Sequence, residues 1–273
     1  MKKLIDLLKK YPLLNAFVAV FFSMITIKTL KTDTYVEMLV VRILLCATMF
    51  FLLSLISGDK TLNKCGNSTG YVIKVSLILW ILALPLGILA FLGTIATEEI
   101  SPDWPYHLFT CFLLFIFVGL FEELAFRAII NDAMLYQFRD KKNVFVWIAI
   151  VSCFAFGAAH VFGTVLLTPL DYIQAAGKTL SSAAFGLFTL ILYWHTRNIW
   201  ACGIVHGVYD FILACGNSFT GKPFSPTYVV ADEYAIWLVG VYAVMILVML
   251  IPLGVLWKKV GKKIDFEQIR REW

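Results

Sequence analysis

Residues 119–130 read GLFEELAFRAII: two adjacent carboxylates, Glu122 and Glu123, and a guanidinium, Arg127, set among Leu, Phe, Ala and Ile. An ionisable side chain at the centre of a bilayer costs at least about 2.5–3.5 kcal/mol on insertion scales. Three of them within twelve residues need partners. The surrounding chain shows why a membrane is the right setting. Of its 273 residues 60% are hydrophobic and 15% charged, and the mean hydropathy is +0.84. Average soluble domains are roughly 45–50% apolar and about 25% charged. Hydrophobicity this high, spread over the whole length, excludes an ordinary soluble domain and predicts an all-α, polytopic membrane protein forming a single membrane domain over 1–273. The net charge of +5 is modest and its basic residues are scattered among loops and termini. That excludes nucleic acid, which needs a basic face, and leaves the lipid bilayer as the expected surrounding.

A span needs about 20 mostly apolar residues, and eight stretches qualify, near 11–30, 35–57, 71–96, 106–130, 144–167, 179–195, 198–216 and 234–257. The start, MKKLIDLLKKYPLLNAFVAVFFSMI, lacks a small-residue cleavage site and reads as an uncleaved first anchor. Orientation follows from Lys and Arg. With the N-terminus inside, cytoplasmic segments hold 16 of the 23 and external connectors four, namely Lys28, Lys31, Lys178 and Lys222. The N- and C-termini are therefore expected in the cytoplasm. LIDLLKK and the tail KKVGKKIDFEQIRREW are expected to lie along that surface as amphipathic pieces. The six cysteines form no CxxC or Cys/His zinc spacing and read as small buried hydrophobes. Glu37 and Arg42, five apart in the second span, read as a structural pair or as side chains reaching an interface. The stretch GNSFTGKPFSPT (216–227) is long enough to cover a pocket, and TYVVADEYAI (227–236) gives no chemical lead.

Three spans carry polar groups near a common depth. At about 1.5 Å per residue, Glu122 lies roughly 6 Å and His160 roughly 8 Å from the centres of their helices, and His206 close to zero. Glu123 and Arg127 are i,i+4, so they share a face and can pair in the favoured order. Glu122 is rotated about 100° away and faces another helix. In HGVYD, His206 and Asp210 share a face at i,i+4. In FGAAH, Phe156 precedes His160 by a turn, and the small residues 157–159 would let a helix approach closely and bring His160 near Glu122. A carboxylate can serve such a site as general base, one imidazole can share its proton, and a second can donate to a developing oxyanion. The same four residues also form a His₂-carboxylate set of the kind that zinc uses. Buried ion pairs of this kind also serve as structural glue.

Glu-Glu-x-x-x-Arg, Phe-x-x-x-His and His-x-x-x-Asp, in that order on successive membrane helices, resemble the CAAX-protease and bacteriocin-processing (CPBP, or Abi) family of intramembrane endopeptidases. The type II CAAX prenyl protease is its best-known member. The resemblance covers about 106–216. It implies a membrane protease in which Glu122 and His160 activate a water, His206 and Asp210 contact the carbonyl or oxyanion, and Glu123, Arg127 and Phe156 support the site. It implies a peptide or membrane-protein substrate, and a bacterial plasma membrane as the expected location. Family members have been described both as metalloproteases and as metal-independent glutamate proteases. The preferred chemistry requires no cofactor; the alternative is a divalent metal, zinc, on Glu122, His160, His206 and Asp210. The last position of the third motif is often Asn in the family. Asn offers N–H donors, whereas ionised Asp is acceptor-only, so Asp210 would be protonated, orient His206 or bind a metal. A non-catalytic bacteriocin-immunity or regulatory scaffold is the rival function.

Overall fold

The computed structural model describes residues 6, 10–56, 60–62, 66–223, 227–231 and 233–272. Among these the chain is all-helical, and eight helical stretches are long and apolar enough to cross a membrane. The helices are α1 (Pro12–Thr29), α2 (Tyr35–Ile56), α3 (Thr69–Thr97), α4 (Trp104–Glu122), α5 (Ile130–Phe138), α6 (Val144–Val161), α7 (Pro169–Thr196), α8 (Ile199–Ala214), α9 (Ala235–Val260) and α10 (Phe266–Arg271). A π-helical turn, Glu123–Ile129, joins α4 to α5, so the fourth candidate span runs from Trp104 to Phe138 and well past the expected end at 130. Large apolar side chains such as Ile236, Trp237, Leu247 and Leu250 of α9 point outward. Outward-facing hydrocarbon on helices whose backbone groups are bonded internally is what a bilayer requires. The chain is an integral membrane protein.

Two helix starts are set by side chains that close reciprocal caps. In T-P-L-D, the Asp171 N–H donates to Thr168 Oγ1 (3.2 Å) while the Asp171 carboxylate accepts from the Thr168 and Leu167 N–H groups (both 2.9 Å). With Pro169 in the first turn, this capping box starts α7 ten residues before the apolar run that predicted a span at 179. Lys178 consequently lies inside a helix and not in an external connector. The same device starts α2: Thr34 Oγ1 accepts from the Glu37 N–H, and Glu37 Oε2 accepts from the N–H groups of Asp33 (2.8 Å) and Thr34 (3.2 Å). Glu37 is a cap, and Arg42 lies 5.5 Å over the Phe121 ring, so the expected Glu37–Arg42 pairing gives way to these contacts.

Cα packing groups the chain into two compact units. The second unit holds Thr29–Ala128 and the residues from Thr196 to 223, that is α2, α3, α4 and α8. In it α8 packs along both α3 and α4, and α2 packs along α4. Glycine makes the approach possible: a Cβ on Gly119 would lie 2.4 Å from Gly203 O and Gly207 N, and one on Gly207 would lie 2.4 Å from Phe115 O. Gly203 and Gly207 form a G-x-x-x-G face, the pattern that lets membrane helices meet at backbone distance. Gly87 serves α3 likewise, its Cβ position being 2.2 Å from Ile212 O. The stretch after α8 is pinned to this unit. Phe219 stacks on Trp104 at 4.9 Å, the Ser101 N–H donates to Phe219 O (2.8 Å), and Tyr35 Oη–H donates to Lys222 O (2.8 Å).

The first unit holds the described residues up to Lys28, Ile129–His195 and those from 227 onward. Here Gly157 brings α6 onto α7, since its Cβ would meet Thr179 O at 2.2 Å. The small-residue run before His160 is used for that approach. Trp194 Nε1–H donates to Asn131 Oδ1 (2.9 Å), and Asn131 Nδ2–H donates to Asp132 Oδ1 (3.0 Å), a fully buried polar chain in α5 and α7. The tail docks on its own unit: Asp265 caps α10, and Phe266 packs against Phe145 and Trp194. LIDLLKK falls outside the described residues apart from Asp6 and Lys10.

Candidate active site

The second unit brings Glu122, Glu123, Arg127, His206 and Asp210 together around one imidazole. The cause is local. Gly119 lies one turn before the two glutamates, and Gly203 and Gly207 bracket His206, so the closest backbone approach of α4 and α8 falls at the polar residues. His206 Nδ1 lies 2.8 Å from Glu123 Oε1. Its Nε2 lies 3.3 Å from Glu122 Oε2 and 3.4 Å from Asp210 Oδ2. Arg127 Nε is 3.6 Å from Glu123 Oε2. Glu123 and Arg127 are wholly buried, whereas the side chains of Glu122 and Asp210 keep 14% and 26% exposure. The outer two carboxylates are thus the partly exposed ones.

The expected Glu123–Arg127 pair is present, but Glu123 divides itself between the guanidinium and His206. Adjacent glutamates thus grip opposite nitrogens of one ring, Glu123 at Nδ1 and Glu122 at Nε2. The α-helix ends at Glu122 and the π turn begins at Glu123. Single π turns are frequent at functional sites, and this one places Glu123 where the backbone changes its hydrogen-bonding register. Nδ1 and Glu123 Oε1 thus share one hydrogen bond, which ties the ring to the end of α4. That fixes the ring's orientation in the manner of the carboxylate–histidine pairs that support metal ligands. Glu122, His206 and Asp210 offer one ligand atom each, all within 4.8 Å of one another. A nitrogen and two carboxylate oxygens converging in this way suit either a shared proton or a divalent cation.

The other two site candidates belong to the first unit. His160 closes α6 with Nδ1 2.9 Å from Phe156 O, and its ring meets that of Phe156 edge-on at 4.8 Å. The i,i+4 spacing of the second motif therefore has a geometric meaning, because Phe156 supplies both the carbonyl and the ring that hold the imidazole. Three contributors were not read from the sequence: the Gly119/Gly203/Gly207 contact, the π turn and the second role of Glu123. The signal for the first was available as GIVHG (203–207), with His206 inside a G-x-x-x-G.

No curated protein and no solved structure matches the chain. Residues 102–212, which contain every residue of the three motifs, match the family model described as type II CAAX prenyl endopeptidase Rce1-like, the family of membrane proteases that those motifs resemble.

Proposed function

We propose that the protein is an intramembrane endopeptidase in which Glu122 and His206 carry the hydrolysis of a peptide bond, with His160 and Asp210 in support. The observation behind this reading is the one imidazole held at Nδ1 by a buried, Arg-paired glutamate and presented at Nε2 to two partly exposed carboxylates. In the proposed sequence Glu122 takes a proton from a water, and the resulting hydroxide attacks the scissile carbonyl carbon. His206 Nε2–H donates to the oxyanion, the C–N bond breaks, and the proton on Glu122 passes to the leaving amine. His160 would serve as a second proton carrier. Asp210, 3.4 Å from Nε2, orients that N–H, which is a role open to Asp where the family often has Asn. Preorganised donors of this kind are worth about 10²–10³ in rate.

The residues present also fit a divalent cation. Glu122, His206 and Asp210 would hold it, Glu123 would orient the histidine, and the ion would supply Lewis acidity and a more acidic bound water. The substrate class follows the family description: a membrane-bound protein or peptide ending in a prenylated Cys-a-a-X sequence. The N- and C-termini are proposed to face the cytoplasm on the strength of the Lys and Arg distribution.

The test is Glu122→Gln in purified protein assayed on an internally quenched farnesylated CAAX peptide. A loss of at least about 10²-fold in kcat with unchanged thermal stability is expected for a general base. Wild-type cleavage by a folded variant would remove Glu122 from the chemistry and favour a non-catalytic scaffold. Stoichiometric metal in the purified protein, lost together with activity under a chelator, would replace the metal-free route by the metal-assisted one.

A further inference from the structure

The described stretch 227–231, TYVVA, lies in the first unit outside any helix, with Tyr228, Val229 and Val230 partly buried and Thr227 and Ala231 exposed. Gln174 of α7, fully buried, pairs with both backbone groups of Val230: its Nε2–H donates to Val230 O (2.9 Å), and Val230 N–H donates to its Oε1 (3.0 Å). A buried carboxamide used in this way replaces a neighbouring strand and satisfies main-chain groups that a coil would otherwise leave exposed. Two residues earlier, Tyr242 Oη–H donates to Tyr228 O (2.8 Å). Gly177 leaves room for the Tyr242 ring, which would lie 3.1 Å from a Cβ at that position. Lys178 Nζ rests 4.3 Å over the Tyr228 ring. So fixed, Tyr228 turns its ring against His160 at 5.9 Å and 62°.

We propose that Tyr228 is a positioning residue for His160, closing with Phe156 an aromatic clamp on the imidazole. This rests on the proposed catalytic role of His160. The Phe156 carbonyl can only accept, so the ring carries a hydrogen on Nδ1, and in the neutral ring Nε2 is the acceptor nitrogen. That hydrogen bond fixes Nδ1 and does not by itself fix the plane of the ring. Phe156 packs against it at 78° and Tyr228 at 62°, and the two together define the plane in which Nε2 points. The Tyr228 contact is contributed by a segment some seventy residues beyond His160, by way of Gln174, Lys178 and Tyr242.

The experiment compares Tyr228→Ala, Tyr228→Phe, His160→Ala and the double variant Tyr228→Ala/His160→Ala on the internally quenched farnesylated CAAX peptide. A second readout is carbethoxylation of His160 by diethylpyrocarbonate, followed by mass spectrometry. Tyr228→Ala should lower kcat by about 10-fold to 100-fold, as expected for a misplaced proton carrier, with KM within about twofold. Tyr228→Phe should restore the wild-type rate because it retains the ring. The double variant should be no slower than His160→Ala. Carbethoxylation of His160 should accelerate severalfold in Tyr228→Ala and in Gln174→Glu, which loses the N–H donor to Val230 and leaves the aromatic ring in place. Wild-type kcat in Tyr228→Ala, or unchanged His160 carbethoxylation in a folded variant, would overturn the proposal. Wild-type activity in His160→Ala would instead remove His160 from the catalytic scheme, while the carbethoxylation rates would still report whether Tyr228 holds the ring.

Discussion

Gly207→Ala tests whether the site is assembled by the helix contact, because it adds one methyl group one residue from His206 and alters none of the site's polar side chains. Built on the present backbone, that Cβ lies 2.4 Å from Phe115 O, 2.7 Å from Ile116 Cα and 2.9 Å from Phe115 C. All three are main-chain atoms, so no rotamer change relieves the clash. Ordinary contact begins at 3.4 Å, and 3.4 − 2.4 gives 1.0 Å by which α8 must withdraw from α4 near this point. His206 would be carried with it. Its Nδ1–Glu123 distance of 2.8 Å and Nε2–Glu122 distance of 3.3 Å would stretch towards roughly 3.8 Å and 4.3 Å, beyond useful hydrogen bonding. A displacement of 1 Å in a catalytic group costs about 10²-fold in rate, while overpacking of this kind costs typically about 1–3 kcal/mol of stability. The assay is kcat on the quenched farnesylated peptide alongside thermal unfolding in detergent. Gly240→Ala, whose Cβ would meet nothing within 4 Å, serves as the control. A folded Gly207→Ala protein that cleaves at the Gly240→Ala rate would refute the claim that backbone contact at Gly119, Gly203 and Gly207 sets the His206–glutamate distances.

Other perturbations separate architecture from chemistry. Arg127→Met leaves the wholly buried Glu123 carboxylate without its 3.6 Å partner and should destabilise the protein by about 3–5 kcal/mol, visible as a lower unfolding temperature and reduced membrane yield. Glu37→Ala removes the α2 cap and should cost about 1 kcal/mol with cleavage unchanged; a large loss of activity would show that Glu37 does more than cap. Trp194→Phe strips the donor from Asn131 Oδ1 in a fully buried polar chain and should cost about 1–3 kcal/mol by thermal unfolding, again without a change in KM.

What the sequence made legible and what it concealed divide along a physical line. Charges in an apolar run are costly wherever they are, so Glu122, Glu123, Arg127, His206 and Asp210 could be picked out one by one, and period-3.6 arithmetic could pair Glu123 with Arg127. Helix starts set by polar side chains were harder to place, because hydropathy averages over them. Thr168 and Asp171 begin α7 in a stretch that composition alone assigns to a connector. The second bond of Glu123 was harder still. It depends on a backbone that leaves the α register at residue 123 and on a helix that approaches to backbone distance, and both are consequences of packing between segments eighty residues apart. The missing signal was an absence of side chains. Gly119, Gly203 and Gly207 carry no chemistry, yet they decide which chemistry can meet. A carboxylate pair without those glycines would face the same imidazole across a gap wide enough for a side chain, and Glu123 could not hold Nδ1 while Glu122 reaches Nε2. The motif residues alone therefore do not specify this site. Glu-Glu-x-x-x-Arg and His-x-x-x-Asp become one constellation only where small residues lie one turn before the first motif and astride the histidine of the other.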